Sequence, residues 1–109
     1  MANTTFKGTT PTYTLTLPEE IDLSQASNVY VTFAKSNYAV IVQKDSDELE
    51  IVGNVVNVFL TQEETLRFPL SEVYLQLNWT YVENNISKRA CSQIVTIKSA
   101  RNLINEVIE

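Results

Sequence analysis

Between Glu72 and Val82 the chain alternates without a break. Val73, Leu75, Leu77, Trp79 and Tyr81 fall on one face, and Tyr74, Gln76, Asn78 and Thr80 fall on the other. A period of two belongs to a β-strand; a helix would scatter these apolar side chains around its circumference. A strand this long with one apolar face needs neighbours to satisfy its backbone and a second layer to cover that face. The segment is therefore expected to be the central strand of a layered β-domain.

The rest of the chain supplies the neighbours. Thr12 to Leu17 alternates Tyr13, Leu15 and Leu17 against Thr12, Thr14 and Thr16, and Pro11 and Pro18 bracket it, as befits a sheet edge. Asn28 to Lys35 turns Val29, Val31 and Phe33 inward. A tight turn at Ser36-Asn37 leads into Tyr38 to Lys44, with Val40 and Val42 inward. A second hairpin joins Leu49 and Ile51 to Val55–Leu60 through Gly53-Asn54. Between the hairpins and ahead of them, Asp45-Ser46-Asp47 reads as a turn, and Asp22 or Ser24 caps the connection Ile21 to Gln25. Thr61-Gln62-Glu63-Glu64 is a capping-box sequence and predicts one short helical turn to about Arg67, ended by Pro69. After a turn at Glu83-Asn84-Asn85, Ile86 to Lys98 is expected to return as one strand.

These signals predict an all-β fold. It is a single domain over residues 1–109, an antiparallel β-sandwich of immunoglobulin-like or Greek-key type, with a partly closed barrel as competitor. Residues 1–9 are expected to be a flexible arm. Residues 100–109 change period: Leu103, Ile104, Val107 and Ile108 recur at helical spacing, and a tail that short must dock on its own domain or on another chain.

Composition narrows the function. Hydrophobic residues make up 44% of the 109, enough for one core, and the net charge is −5. The eight basic residues are scattered, with only Lys88 and Arg89 adjacent, so no basic surface is expected to track a nucleic acid. There is no histidine, which excludes the usual Ser-His-Asp and Cys-His arrangements and removes the commonest metal ligand. The single cysteine, Cys91, forbids an internal disulfide; it reads as a small, partly buried strand residue in preference to a thiolate beside Lys88 or Arg89. Met1 to Thr12 lacks the apolar run of a signal peptide, and no segment has the apolar length of a membrane span. Synthesis in the cytoplasm, with no membrane partner, is the expectation.

Other candidate sites have plainer readings. Asp45, Asp47, Glu48 and Glu50 are the densest acidic patch, but their spacing is not that of a calcium loop, and a solvated turn accounts for them. Trp79 and Tyr81 share the face of Leu75 and Leu77 and read as core, which leaves Tyr74 as the aromatic placed to meet a ligand. Asn3-Thr4-Thr5, Asn78-Trp79-Thr80 and Asn85-Ile86-Ser87 match the glycosylation acceptor pattern by chance in a chain rich in Asn and Thr. No cofactor or metal motif occurs, and no enzymatic role is expected.

Two stretches carry a resemblance. Gly8-Thr9-Thr10-Pro11-Thr12-Tyr13-Thr14-Leu15, followed by Val29-Tyr30-Val31-Thr32-Phe33, resembles the opening of small proteins encoded in Firmicutes phages and prophages. So does Val56-Asn57-Val58-Phe59-Leu60-Thr61-Gln62-Glu63-Glu64-Thr65-Leu66-Arg67-Phe68 with Val73 to Trp79 after it. The layout is similar to the N-terminal domain of upper baseplate proteins of lactococcal-type phages. That resemblance implies a small β-sandwich used in virion assembly, in a tail, baseplate or fibre base, with copies of itself and other virion proteins as partners. The candidate interface is Leu103, Ile104, Val107 and Ile108 with Tyr74. The alternative is a monomeric module that binds carbohydrate or peptide through Tyr74 and the loop near Asp45 to Glu48.

Overall fold

The computed structural model describes residues 3–109, and the chain folds as two facing β-sheets. The strands are β1 (Asn3–Phe6), β2 (Thr12–Thr16), β3 (Asn28–Lys35), β4 (Val40–Asp45), β5 (Leu49–Val52), β6 (Val55–Phe59), β7 (Glu72–Glu83), β8 (Ile86–Cys91) and β9 (Val95–Ala100). One short helix, α1 (Gln62–Leu66), links β6 to β7. The larger sheet runs β1-β9-β7-β3-β4, with β8 also on β7; the smaller runs β2-β6-β5. All pairings are antiparallel except β1 with β9. The all-β, sandwich-like expectation holds.

β7 is the centre of the large sheet, as its alternation requires. It pairs along one side with the whole of β3, and along the other with β9 over Glu72–Leu75 and β8 over Asn78–Glu83. Its inward residues Val73, Leu75, Leu77 and Trp79 meet Val29, Val31 and Phe33 of β3 and, from the facing sheet, Val56 and Val58. The Phe33 ring lies between those of Tyr13 and Phe68, with centroids 5.5 and 6.0 Å away.

The last long strand is not continuous. Gln76 and Leu77 of β7 face three residues, Ser92 to Ile94, so one extra residue enters between β8 and β9. Ser92 closes this bulge. Its N–H donates to the Leu77 carbonyl at 2.8 Å, its hydroxyl accepts from the Leu77 N–H at 3.0 Å, and its carbonyl accepts from the Gln76 amide at 2.9 Å. An extra residue reverses which side chains face inward. Without it, Ala90 opposite Trp79 would put Thr96 and Lys98 inside; with it, Val95 and Ile97 lie opposite Leu75 and Val73.

A second irregularity corrects the first hairpin. The loop comprises Ser36, Asn37 and Tyr38, with Tyr38 at φ 70°, and the strand begins at Val40, not at Tyr38. The register then shifts, Phe33 facing Val42 and Ala34 facing Val40, with Ile41 the extra residue. Val40 is consequently exposed, contrary to the alternation, while Val42 and Lys44 point inward. The β7–β8 turn is tight: Asn84 and Asn85 take φ 52° and 63°, the left-handed pair a two-residue hairpin demands.

Both termini depart from expectation. Within the 1–9 segment, Asn3–Phe6 is a strand, not an arm, because β9 satisfies its backbone and the Thr5 hydroxyl bonds the Tyr13 phenol between the sheets. Met1 and Ala2 lie outside the described residues. Gly8, at φ 81°, turns the chain out of β1; a Cβ there would meet the Leu66 side chain at 3.2 Å. Its N–H donates to the Thr65 hydroxyl of α1, which in turn donates to the Thr9 carbonyl. Residues 101–109 contain no helical turn. So short a segment makes a marginal helix in water, and the Asn102 side chain takes the Ile104 N–H in a local turn instead.

Among the described residues, Lys44 is the one charged residue in the buried set. Its ammonium lies 2.7 Å from the Glu64 carboxylate and 3.7 Å from that of Glu48. Glu64 also accepts the Thr61 N–H at 2.8 Å and completes the capping box of α1. Burial pushes the Glu64 carboxyl up, but the Lys44 ammonium and the Thr61 donors outweigh it and hold the group below its ordinary 4.5. A carboxyl held low in the folded state stabilises above its ordinary value and loses that contribution as pH falls through the folded value. Glu64→Gln removes the nearer of the two carboxylates beside Lys44 and should cost about 1–3 kcal/mol at pH 7. Urea denaturation should show the wild-type protein losing stability below about pH 4.5 more steeply than the variant; equal slopes would mean that Glu64 is not the linked group.

Candidate functional site

Three surfaces remain after the core is closed. The first is the C-terminal segment. It lies against α1, where the Gln62 side chain acts as a strand partner: its Nε2 donates to the Ile108 carbonyl at 2.8 Å and its Oε1 accepts the Ile108 N–H at 2.9 Å. The expected interface residues are exposed. Leu103 is 97% exposed, and Ile104, Val107 and Ile108 are about half exposed. Leu103 and Leu70 border a small concavity with Lys7 and Arg101. Exposed apolar side chains concentrated on one segment make it a candidate interaction surface.

The second surface is the outer face of the large sheet. Tyr74 sits there, half-buried, and the Tyr38 ring lies over it with centroids 6.0 Å apart. Tyr74 stands opposite Thr96 of β9, and its ring partner is Tyr38, not a residue of the C-terminal segment. Further along the same face a concavity of about 260 Å³ is lined by Tyr30, Thr32, Gln43, Asn78, Thr80 and Arg89. The Arg89 guanidinium donates from Nε and Nη2 to the Asn78 side-chain carbonyl at 3.3 and 3.1 Å, which holds it across the sheet.

The third is the flank where β2 ends the small sheet. Two adjoining grooves of about 520 and 430 Å³ run along it, sharing Leu15, Thr16 and Val95 in their walls.

The other candidates resolve into structural roles. Asp45 and Glu48 cap a single turn at Ser46–Glu48, and Glu50 accepts from Asn57. Among the described residues no group of three or more acidic, His or Cys side chains converges. Trp79 is buried and Tyr81 packs against the core. Cys91 is exposed, not partly buried, because it stands opposite Asn78 on the outer face. Among the described residues no helix is long and apolar enough to cross a membrane. Gln62 and Tyr38 carried no sequence signal for these positions, since each matters only through a residue distant in the chain.

No protein-family model, curated protein or solved structure matches the chain.

The clamp is testable by itself. In Gln62→Ala the Ile108 amide should exchange with solvent severalfold faster while the β7 amides keep their protection. An unchanged Ile108 rate would mean that other contacts hold the segment.

Proposed function

We propose that this protein is a structural component of a phage or prophage virion, at a tail, baseplate or fibre base, and that it acts by protein–protein assembly. The observation that carries the reading is the C-terminal segment: it is anchored to α1 at the Ile108 backbone, and Leu103, Ile104, Val107 and Ile108 are exposed. An anchor at Ile108 reduces the entropy that the segment has left to lose on docking. The resemblance of Gly8–Leu15, Val29–Phe33, Val56–Phe68 and Val73–Trp79 to phage structural proteins supports the setting. Partners on this reading are copies of the chain and neighbouring virion proteins, and the site of action is the particle.

Light scattering on the size-exclusion eluate tests it. The full chain should run above its monomer mass of 12.3 kDa, and Leu103→Glu with Val107→Glu should return it toward that mass. A multimer indifferent to both substitutions would exclude the tail from the interface.

A second reading, a monomeric module for carbohydrate or peptide, draws on the Tyr38–Tyr74 pair and the polar concavity beyond it. Aromatic faces beside amides and hydroxyls suit a sugar ring. On this reading Tyr74→Ala abolishes binding on a glycan or peptide panel while the mass stays monomeric; a panel without hits leaves the assembly reading alone.

A further inference from the structure

We infer that the flank along β2 is a slot for one added strand, supplied by a neighbouring protein subunit and uncharged along its length. That the donor is an assembly partner rests on the reading above; the slot rests on the edge itself.

The register decides which backbone groups are free. The Leu60 N–H donates to the Pro11 carbonyl and the Leu17 N–H to the Asn54 carbonyl, so the odd-numbered residues of this strand turn their backbone groups toward β6. In an antiparallel pair the intervening residues turn theirs away. Thr12, Thr14 and Thr16 therefore present N–H and C=O groups to the open flank, and none of them bonds the backbone of another element.

The other edges are protected, as exposed edges usually are. β4 carries its bulge with Lys44 and Asp45. β8 carries Lys88 and Arg89. β5 and β1 are four residues each, and β5 includes Glu50. β2 has no charge and no irregularity, only Pro11 and Pro18 beyond its ends.

What lies beside β2 defines the occupant. Leu15, Leu17, Ile21, Trp79 and Val95 line the grooves, and no lining residue is charged. A charged side chain entering there would lose water without gaining a partner. Thr4, Thr5 and Ile97 extend the large sheet under the flank as a ledge. The ledge receives a strand but obstructs a second sandwich brought in edge to edge. The fitting partner is an extended segment that alternates apolar side chains, set over the ledge, with hydroxyl or amide side chains set beside Thr12, Thr14 and Thr16. This is strand addition, in which main-chain hydrogen bonds give affinity and alternate pockets give selectivity.

The probe is a synthetic peptide of the required pattern, TYTLTL, added to the full chain, with a scrambled peptide as control. Amide exchange followed by NMR should show Thr14 and Thr16 fast and Tyr13 and Leu15 slow in the free protein. The peptide should then slow Thr14 and Thr16 by at least about tenfold, and the scrambled one should not. Thr14→Pro removes a donor that the fold does not use, and should abolish this binding while the protein still unfolds cooperatively. Thr14→Val keeps the N–H and should bind as the wild type does. Absence of protection, or a Thr14→Pro variant that binds normally, overturns the slot. A multimer unaffected by Thr14→Pro, with no peptide protection, removes the slot and leaves assembly standing. A strict monomer that still protects Thr14 keeps the slot and removes assembly.

Discussion

The pleat of a β-strand permits one inward side chain in every two, and the whole structure follows from how the chain keeps or resets that count. β7 keeps it across its entire buried length, which lets one strand pair with β3, β8 and β9 and supply the middle of the core. Its partners cannot all keep it. The hairpin strand on one side turns Ala90 inward and must then turn Val95 and Ile97 inward, an even number followed by odd ones. Only an inserted residue reconciles them, and Ser92 makes the insertion tolerable by bonding Leu77 through both backbone and side chain. Ile41 does the same in β4, at the cost of leaving Val40 in water.

That second reset has an electrostatic consequence. Counting from Val42, the next inward residue of β4 is Lys44, opposite Val31. A buried ammonium is tolerable only beside a carboxylate. Glu64 stands there because it is already fixed by its capping role at the start of α1. One carboxylate thus joins the edge of the large sheet to the crossover helix. α1 in turn holds the turn after β1 through Thr65 and the C-terminal segment through Gln62. The ends of the chain are organised by a five-residue helix whose position a charge pair secures.

The surfaces this frame leaves open differ in physical kind. The C-terminal segment offers apolar area, the outer face of the large sheet offers aromatic and polar side chains, and the β2 flank offers unpaired backbone beside an uncharged groove. The first and third suit protein partners, since apolar burial and strand pairing are the two commonest ways for one chain to hold another. One lies against α1 and the other beside β2 and β9, so the two surfaces are distinct on a single copy.

Local pattern alone determined most of the strands, the capping box of α1, both Asn-rich and Gly-containing turns, and the division of β7 into core and outer faces. Each of these depends on residues within a few positions of one another, which is the range over which side-chain period and turn chemistry act. Tertiary structure decided the rest. Asn3–Phe6 is a strand because β9 lies beside it, and residues 101–109 are irregular, not helical, because the segment is too short to hold a helix and Gln62 takes the Ile108 backbone. The breaks at Ile41 and Ser92 arise because two strands with incompatible parity must share one core. The free edge of β2 exists only because the small sheet stops there above a wider one. Periodicity says which face of a strand is buried; it carries no information on which edge is left unpaired, because pairing is set by strands far apart in the chain.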